Sequence, residues 1–369
     1  MNTAALPPVV EDFSSFIIAG RVKNKPSPDS ETAARTPARR VQDGVDAEAI
    51  GCRRIFLSER WNLKEAAVIL SAIGAKTQRV ELGTGLISAA SRHPMHAAAF
   101  GATMHAIHGP RFVLGLGRGD NGVLQGSGLR AFSFQAFTDY ADIIRRLWRG
   151  ETVSYDGPAG RYENIALGDL PDGPPPKLWF GSFGLPLAAK AIAKAFDGVL
   201  LIPNMTPQAT HESVQRIRSE CEAIGRDPHS VHIAQCVITA PELSETETRQ
   251  LAHARAVTYL QAPGYGEALV KLNHWDPAIH HQLLEHRQFK NTGHIADAMF
   301  HRSELMEPAK LVPDAWMNES CALGSVDACV KQLQRFRDAG ADEVVTYGST
   351  PMQNAKLIKA WAARPQSKQ

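Results

Sequence analysis

The chain has 369 residues, 44% hydrophobic and 21% charged, a common globular mixture long enough for one large domain or two average ones. A formal net charge of +2 gives no electrostatic reason to expect nucleic acid or an anionic membrane as partner. No apolar run approaches the ~18 residues that a transmembrane helix needs.

The first residues, 1–13, lack a basic stretch followed by a long apolar one, so no signal peptide is expected. Cys52, Cys221, Cys236, Cys321 and Cys329 form no CxxC and no zinc-finger spacing. Their odd number argues against a disulfide framework, which predicts a reducing, cytoplasmic setting and buried cysteines acting as small apolar side chains.

Short apolar runs then alternate with amphipathic stretches, the pattern of βα units around a parallel sheet. Candidate strands are 16–19, 54–57, 80–83, 112–115, 178–180, 198–202, 231–234 and 343–346. Eight strands suit a closed barrel better than an open doubly wound sheet. Phe134, Phe137, Ala141, Ile144 and Trp148 recur at helical steps before Gly150. Leu187, Ala191, Ala195 and Phe196 do the same after the fifth strand. Val326, Val330, Leu333 and Phe336 mark the last long helix, with Ser325 as its expected N-cap and Gly340 near its end. Residues 151–176, rich in Gly and Pro, read as a turn-rich insertion. Residues 251–321 are too long for an ordinary connection between strands seven and eight. They are rich in His, Tyr and Trp, and we expect a mostly helical excursion over the barrel mouth within a single domain spanning 1–369.

Two glycine-rich strand ends bear chemistry. The third strand runs into Gly83-Thr84-Gly85-Leu86 and then Ser91-Arg92-His93-Pro94, and the fourth into Gly115-Leu116-Gly117-Arg118-Gly119-Asp120. Glycine at a strand end lets a ligand approach the backbone. A dinucleotide-binding reading of Gly115, Gly117 and Gly119 is weak, because the spacing is GxGxG rather than GxGxxG.

These motifs, in their order, resemble the luciferase-like monooxygenase superfamily. Ser58-Glu59-Arg60, Gly83-Thr84-Gly85, Arg92-His93-Pro94 and residues 109–117 each match its pattern. So do Pro176-Lys177-Leu178-Trp179-Phe180-Gly181-Ser182-Phe183-Gly184, Phe196-Asp197-Gly198, Gly324-Ser325-Val326-Asp327 and residues 339–343. The resemblance implies an α/β fold, a (β/α)8 TIM barrel with the mostly helical insertion between strands seven and eight. It also implies an oxidoreductase binding FMN or the deazaflavin coenzyme F420. Gly117-Arg118-Gly119-Asp120 is closer to the F420 branch, with Asp120 where that branch often has Glu, and Arg60 follows Glu59 where it often has His. The leading expectation is hydride transfer between F420 and a small organic substrate. The alternatives are an FMN-dependent monooxygenase fed by a separate flavin reductase, and a non-catalytic flavin-binding barrel. A homodimer is admitted because members are often dimers.

In a barrel, Glu59, Gly85, Asp120 and Ser182 converge on one mouth. The cofactor contacts implied are Glu59, Arg60, Thr84, Gly85, Leu86, Gly117, Arg118, Gly119, Gly181, Ser182, Phe183 and Gly184. A non-prolyl cis peptide is expected at Gly85-Leu86. The turn 181–184 opens a helix whose N–H groups suit a phosphate, or is a plain strand-to-helix turn. Asp120, His93 and Glu59 are the candidates for proton handling. Their competing readings are a helix cap or partner of Arg118 for Asp120, a helix-start residue for His93, and an ion pair with Arg60 for Glu59. The aromatic residues of 251–318 shape a substrate pocket or pack inserted helices. His274-Trp275-Asp276 and His280-His281 do not carry recognisable metal spacing, and no metal is expected.

Overall fold

The computed structural model describes residues 6–18, 36–59, 64–119, 121–170, 173–290 and 296–365. Eight parallel strands close on themselves: β1 (Phe13–Ile17), β2 (Arg54–Leu57), β3 (Glu81–Thr84), β5 (Phe112–Gly117), β8 (Lys177–Ser182), β9 (Gly198–Leu201), β10 (His232–Pro241) and β12 (Glu343–Tyr347). Closure is made by β9 against β10, β10 against β12 and β12 against β1, with Phe13 opposite Val344. The eight expected strands are therefore the eight barrel strands. The first begins earlier than expected, because Phe13, Ser14 and Ser15 already pair with β12. Two short strands flank the barrel. β4 (Ile87–Ser88) pairs with the end of β5, and β11 (Cys321–Gly324) with the end of β10.

Helices cover the outside. They include α1 (Pro37–Ala49), α2 (Ala66–Gly74), α3 (Pro94–His108), α4 (Asn121–Gly126), α5 (Phe134–Trp148), α6 (Pro186–Ala195) and α7 (Pro207–Ala223). Several begin with Pro after an extended cap residue, where the absent N–H is no loss. Arg111 ties two of them to the sheet. Its guanidinium donates to the carbonyls of Gly74, Thr77, Val80 and His108 at 2.7–3.0 Å.

The segment 151–176 differs from the turn-rich expectation. It contains an antiparallel hairpin, β6 (Val153–Gly157) and β7 (Gly160–Ile165). Its strands are mostly exposed, so they lack the apolar run that reveals a barrel strand. Between β10 and β12 lie α8 (Glu245–Leu251), α9 (His253–Gln261), α10 (Tyr265–Leu272), α11 (Pro277–Leu284), α12 (Ala296–Met299) and α13 (Asp314–Ser320). Trp275 and Trp316 stack at 4.4 Å within this segment, both nearly buried. The last helices are α14 (Val326–Asp338), capped by Ser325 as expected, and α15 (Ala355–Ala362).

The amino ends of the strands enclose a buried charge cluster. Arg54 reaches Glu343 at 3.2 Å and Glu81 at 2.8 Å, and His232 meets Glu343 at 2.8 Å. The Arg54 guanidinium also lies 4.5 Å from the Trp179 ring centroid. Burial would raise the Glu343 carboxyl, but the charge of Arg54 and the contacts of His232 and Ser14 bring it down to about 2. All five cysteines are buried and unpaired. Among the described residues, no helix is long and apolar enough to cross a membrane.

Candidate active site

Three strand ends meet at Leu86. The Gly85-Leu86 peptide is cis, as expected from the motif. A Cβ on Gly181 would stand 1.8 Å from a Leu86 methyl, and one on Gly117 would stand 3.3 Å from it. A Cβ on Gly115 would stand 2.0 Å from the Thr84 carbonyl oxygen. The strand-end glycines thus accommodate the protein's own Thr84 and Leu86. Thr84 is fully buried, and its hydroxyl accepts from the Gly115 N–H at 2.8 Å and donates to the Gly115 carbonyl at 2.7 Å. It joins the third and fourth barrel strands and has no hydroxyl hydrogen left for a ligand.

Beside them, the Gly85 N–H donates to the Leu57 carbonyl at 2.7 Å, at the end of β2. The chain continues to Glu59, whose side chain is 1% exposed. Its Oε1 accepts from Arg92 Nη2 at 2.6 Å and from the Ala66 N–H at 3.4 Å. Its Oε2 is buried and has no hydrogen-bond partner among the described residues. Arg92 also binds Glu65, the N-cap of α2. The two carboxyls are driven apart. Burial raises Glu59 above the ordinary carboxylate range, and Arg92 only partly offsets it. Burial also raises Glu65, but Arg92 and the first N–H groups of α2 bring it below that range. Such a split makes Glu59 the more readily protonated of the two. The partner of Glu59 seen here is Arg92. Arg60 and Asp120 lie outside the described residues.

His93 is the N-cap of α3, accepting from the Met95 N–H at 3.2 Å. Its ring is exposed and meets Tyr162 of the hairpin edge-on at 4.9 Å. Burial and the nearby His96 favour its neutral form. Arg118 follows the end of β5. Its Nε donates to the Phe132 carbonyl at 2.9 Å, and its guanidinium lies 4.2 Å from the Phe134 ring centroid. Gly119 has φ +82, a conformation glycine takes without cost.

The turn after β8 is held from outside. Ser182 Oγ accepts from the Gly184 N–H at 3.0 Å, so that N–H is not free as expected. From α7, Ser213 donates to the Phe183 carbonyl at 3.0 Å and Arg216 to the Gly184 carbonyl at 2.7 Å. Lys190 and Lys194 on α6 are exposed, as outward-facing helix positions should be.

The segment between β10 and β12 touches these strand ends. Tyr265 of α10 packs edge-on against Phe183 at 5.3 Å. Asn273 bridges to the Asn204 carbonyl and the Thr206 N–H, after β9, at 2.7 and 2.9 Å. Tyr259 and Arg255 of α9 reach the hydroxyl of Tyr347, the last residue of β12. His280 contacts the Leu260 carbonyl at 2.8 Å, a packing role within the inserted helices. Sequence reasoning did not single out Arg92 or Tyr347 as site residues, while Tyr259 was among the aromatic residues of 251–318 expected either to shape a substrate pocket or to pack the inserted helices. The available signal was position, since residues ending barrel strands or opening the following loops line the mouth.

Comparison with known proteins agrees with this architecture. Residues 17–343 match the family model described as luciferase-like monooxygenase. A phthiodiolone/phenolphthiodiolone dimycocerosates ketoreductase of Mycobacterium tuberculosis is 27% identical over 274 residues, covering 72% of this chain and 69% of that protein. The coenzyme F420-dependent tetrahydromethanopterin reductase of Methanopyrus kandleri has the same fold. Its TM-score is 0.74 at 17% identity, with 95% of this chain and 97% of the other covered. An F420-dependent secondary alcohol dehydrogenase, solved with an F420-acetone adduct, gives a TM-score of 0.69 at 14% identity, covering 95% and 99%. With a family model covering most of its length and a closed barrel whose strand ends bear the expected motifs, the chain is an oxidoreductase belonging to the luciferase-like monooxygenase family.

Proposed function

We propose that this enzyme transfers hydride between coenzyme F420 and a small organic substrate at the carboxyl-end mouth of the barrel. The observation that carries the proposal is Glu59, a buried carboxyl at a strand end whose Oε2 has no partner among the described residues. A buried acceptor of this kind is costly unless a ligand donor meets it. A deazaflavin, with N–H and O–H groups at its ring edge, fits that requirement. When bound, it supplies the carbon that gives or takes the hydride.

Leu86 forms a platform wedged over Gly117 and Gly181, suited to the face of a flat ring. Arg92 orients Glu59 and keeps Glu65 ionised. The turn 181–184 would take a phosphorylated tail at the start of α6, with Arg216 and Ser213 holding the turn in shape. Arg118, Gly117 and Gly119 would border the tail or substrate. His93 and Asp120 remain candidates for moving protons, and of the two described residues Glu59 is better placed than His93. The chain acts as one unit, and the described helices between β10 and β12 cover the mouth and shape the substrate pocket. The contacts of Tyr265, Asn273 and Tyr259 with strand ends support this.

F420 is favoured over FMN by the F420 dependence of the two structural relatives and by the Gly117-Arg118-Gly119 run. The test is turnover. With oxidised F420 and a panel of secondary alcohols, or with reduced F420 and ketones, the absorbance of the oxidised deazaflavin should change at an enzyme-dependent rate. Enzyme-dependent oxygen consumption with reduced FMN, and none of the F420 reactions, would establish the monooxygenase reading instead.

A further inference from the structure

We propose that the paired hydroxyls of Tyr259 and Tyr347 donate a proton to a carbonyl oxygen of the substrate, with Arg255 holding the charge left behind. The inference rests on the F420-dependent reading and deepens it, since it commits the substrate to a ketone or, in reverse, a secondary alcohol.

Tyr347 ends the last barrel strand and is 2% exposed. Its ring packs on Phe16 with centroids 4.6 Å apart. The edge of Phe16 in turn lies 2.8 Å from where a Cβ on Gly85 would stand. One aromatic ring therefore separates Tyr347 from the Gly85-Leu86 step. Tyr259 arrives from α9, and the two hydroxyl oxygens are 3.0 Å apart. Arg255 donates to both, at 3.5 Å to Tyr259 and more closely to Tyr347, and its guanidinium sits 5.1 and 5.2 Å from their ring centroids.

Arginine has donors only, so both oxygens are acceptors toward Arg255. The two hydroxyls own two hydrogens, and the contact between them uses one. The other has no acceptor among the described residues, for neither hydroxyl makes a further hydrogen bond there. A leftover O–H beside a cation is a donor prepared for an oxygen that becomes negative. Burial, and the neighbouring Tyr347, raise Tyr259 well above its ordinary value despite Arg255, so its hydroxyl stays in the donor form at neutral pH.

The step balances. Hydride from reduced F420 forms the new C–H bond at the carbonyl carbon, and the C=O π pair moves onto oxygen. A tyrosine O–H breaks as the alcohol O–H forms. The deazaflavin is left oxidised, the ketone is reduced, and the tyrosinate, held by Arg255 and the second hydroxyl, regains its proton from solvent.

The experiment uses the full chain with F420 and, as probes, acetone, cyclohexanone and their alcohols. Tyr259→Phe, Tyr347→Phe and the double variant keep the rings and remove the hydroxyls, and melting curves report folding. The double variant should bind F420 with the wild-type dissociation constant, while kcat falls by about a hundredfold or more and KM changes little. Each single variant should lose about tenfold, which keeps the test available should the double variant unfold. Arg255→Lys should retain more activity than Arg255→Met. Single or double variants within about threefold of wild-type kcat would overturn the proposal. So would a wild-type enzyme that binds F420 but turns over no ketone or alcohol probe. Absence of F420 binding by the wild type would instead remove the cofactor reading, and this inference with it.

Discussion

Leu86 occupies space that two neighbouring strands leave open by carrying glycine at 115, 117 and 181. A methyl group on Gly181 would overlap the Leu86 side chain, which Gly115 and Gly117 already confine. Gly181→Ala should therefore lower stability by ~1–3 kcal/mol in urea unfolding, through overpacking. Leu86→Ala in the same chain should recover part of that loss, as coupled neighbours do. Strict additivity of the two changes would show that they do not share the space. Glu59 supports a second prediction. Glu59→Gln keeps the size but gives Arg92 a neutral partner and offers a ligand donor a weaker acceptor. F420 affinity should fall about tenfold, roughly 1.4 kcal/mol, in a fluorescence titration. An unchanged dissociation constant would take Glu59 out of the binding site. At this scale the sequence revealed which positions were glycine and where Glu59 stood. It did not reveal that Leu86 fills the gap or that Arg92, 33 positions away, is the partner of Glu59. Both depend on the closing of the barrel, which no local pattern encodes.

Strands are also joined by charge. Glu343 starts β12, Arg54 starts β2 and His232 starts β10, and they meet at the opposite end from the proposed site. The folded carboxyl of Glu343 lies near 2 against an ordinary 4.5, so between those values the unfolded chain binds the proton more readily than the native one. Its stabilising contribution is complete above about pH 4.5 and is lost as pH falls toward 2. Urea midpoints measured across that window should fall in the wild type and fall less in Glu343→Gln. At pH 7 the variant should already be ~3–5 kcal/mol less stable, because Arg54 loses its fully buried partner. A parallel pH dependence in the two proteins would assign the acid sensitivity to other groups. The barrel strands were readable because strands buried on both faces are short continuous apolar runs. The β6–β7 hairpin was not, since Ser154, Asp156, Arg161 and Glu163 are polar and exposed. Helix α5 was readable, because Phe137, Ala141, Ile144 and Trp148 form one buried stripe.

The whole molecule is a barrel with two unlike ends. The amino end is closed by a buried ion cluster, and the carboxyl end carries the cis Gly85-Leu86 step, the Glu59-Arg92 pair and contacts from the inserted helices. The alternation of strand and helix made the fold legible, and ordered short motifs made the family legible. The substrate side was less so, because Tyr259, Arg255 and Tyr265 lie in a segment whose helical spacing reads first as packing. The central claim is that this carboxyl end holds a deazaflavin. It is tested most directly by titrating the purified chain into oxidised F420, and separately into FMN, while following cofactor fluorescence. Saturable binding of F420 at micromolar protein, tighter than that of FMN, is the predicted result. FMN binding more tightly, or neither cofactor binding, would contradict it.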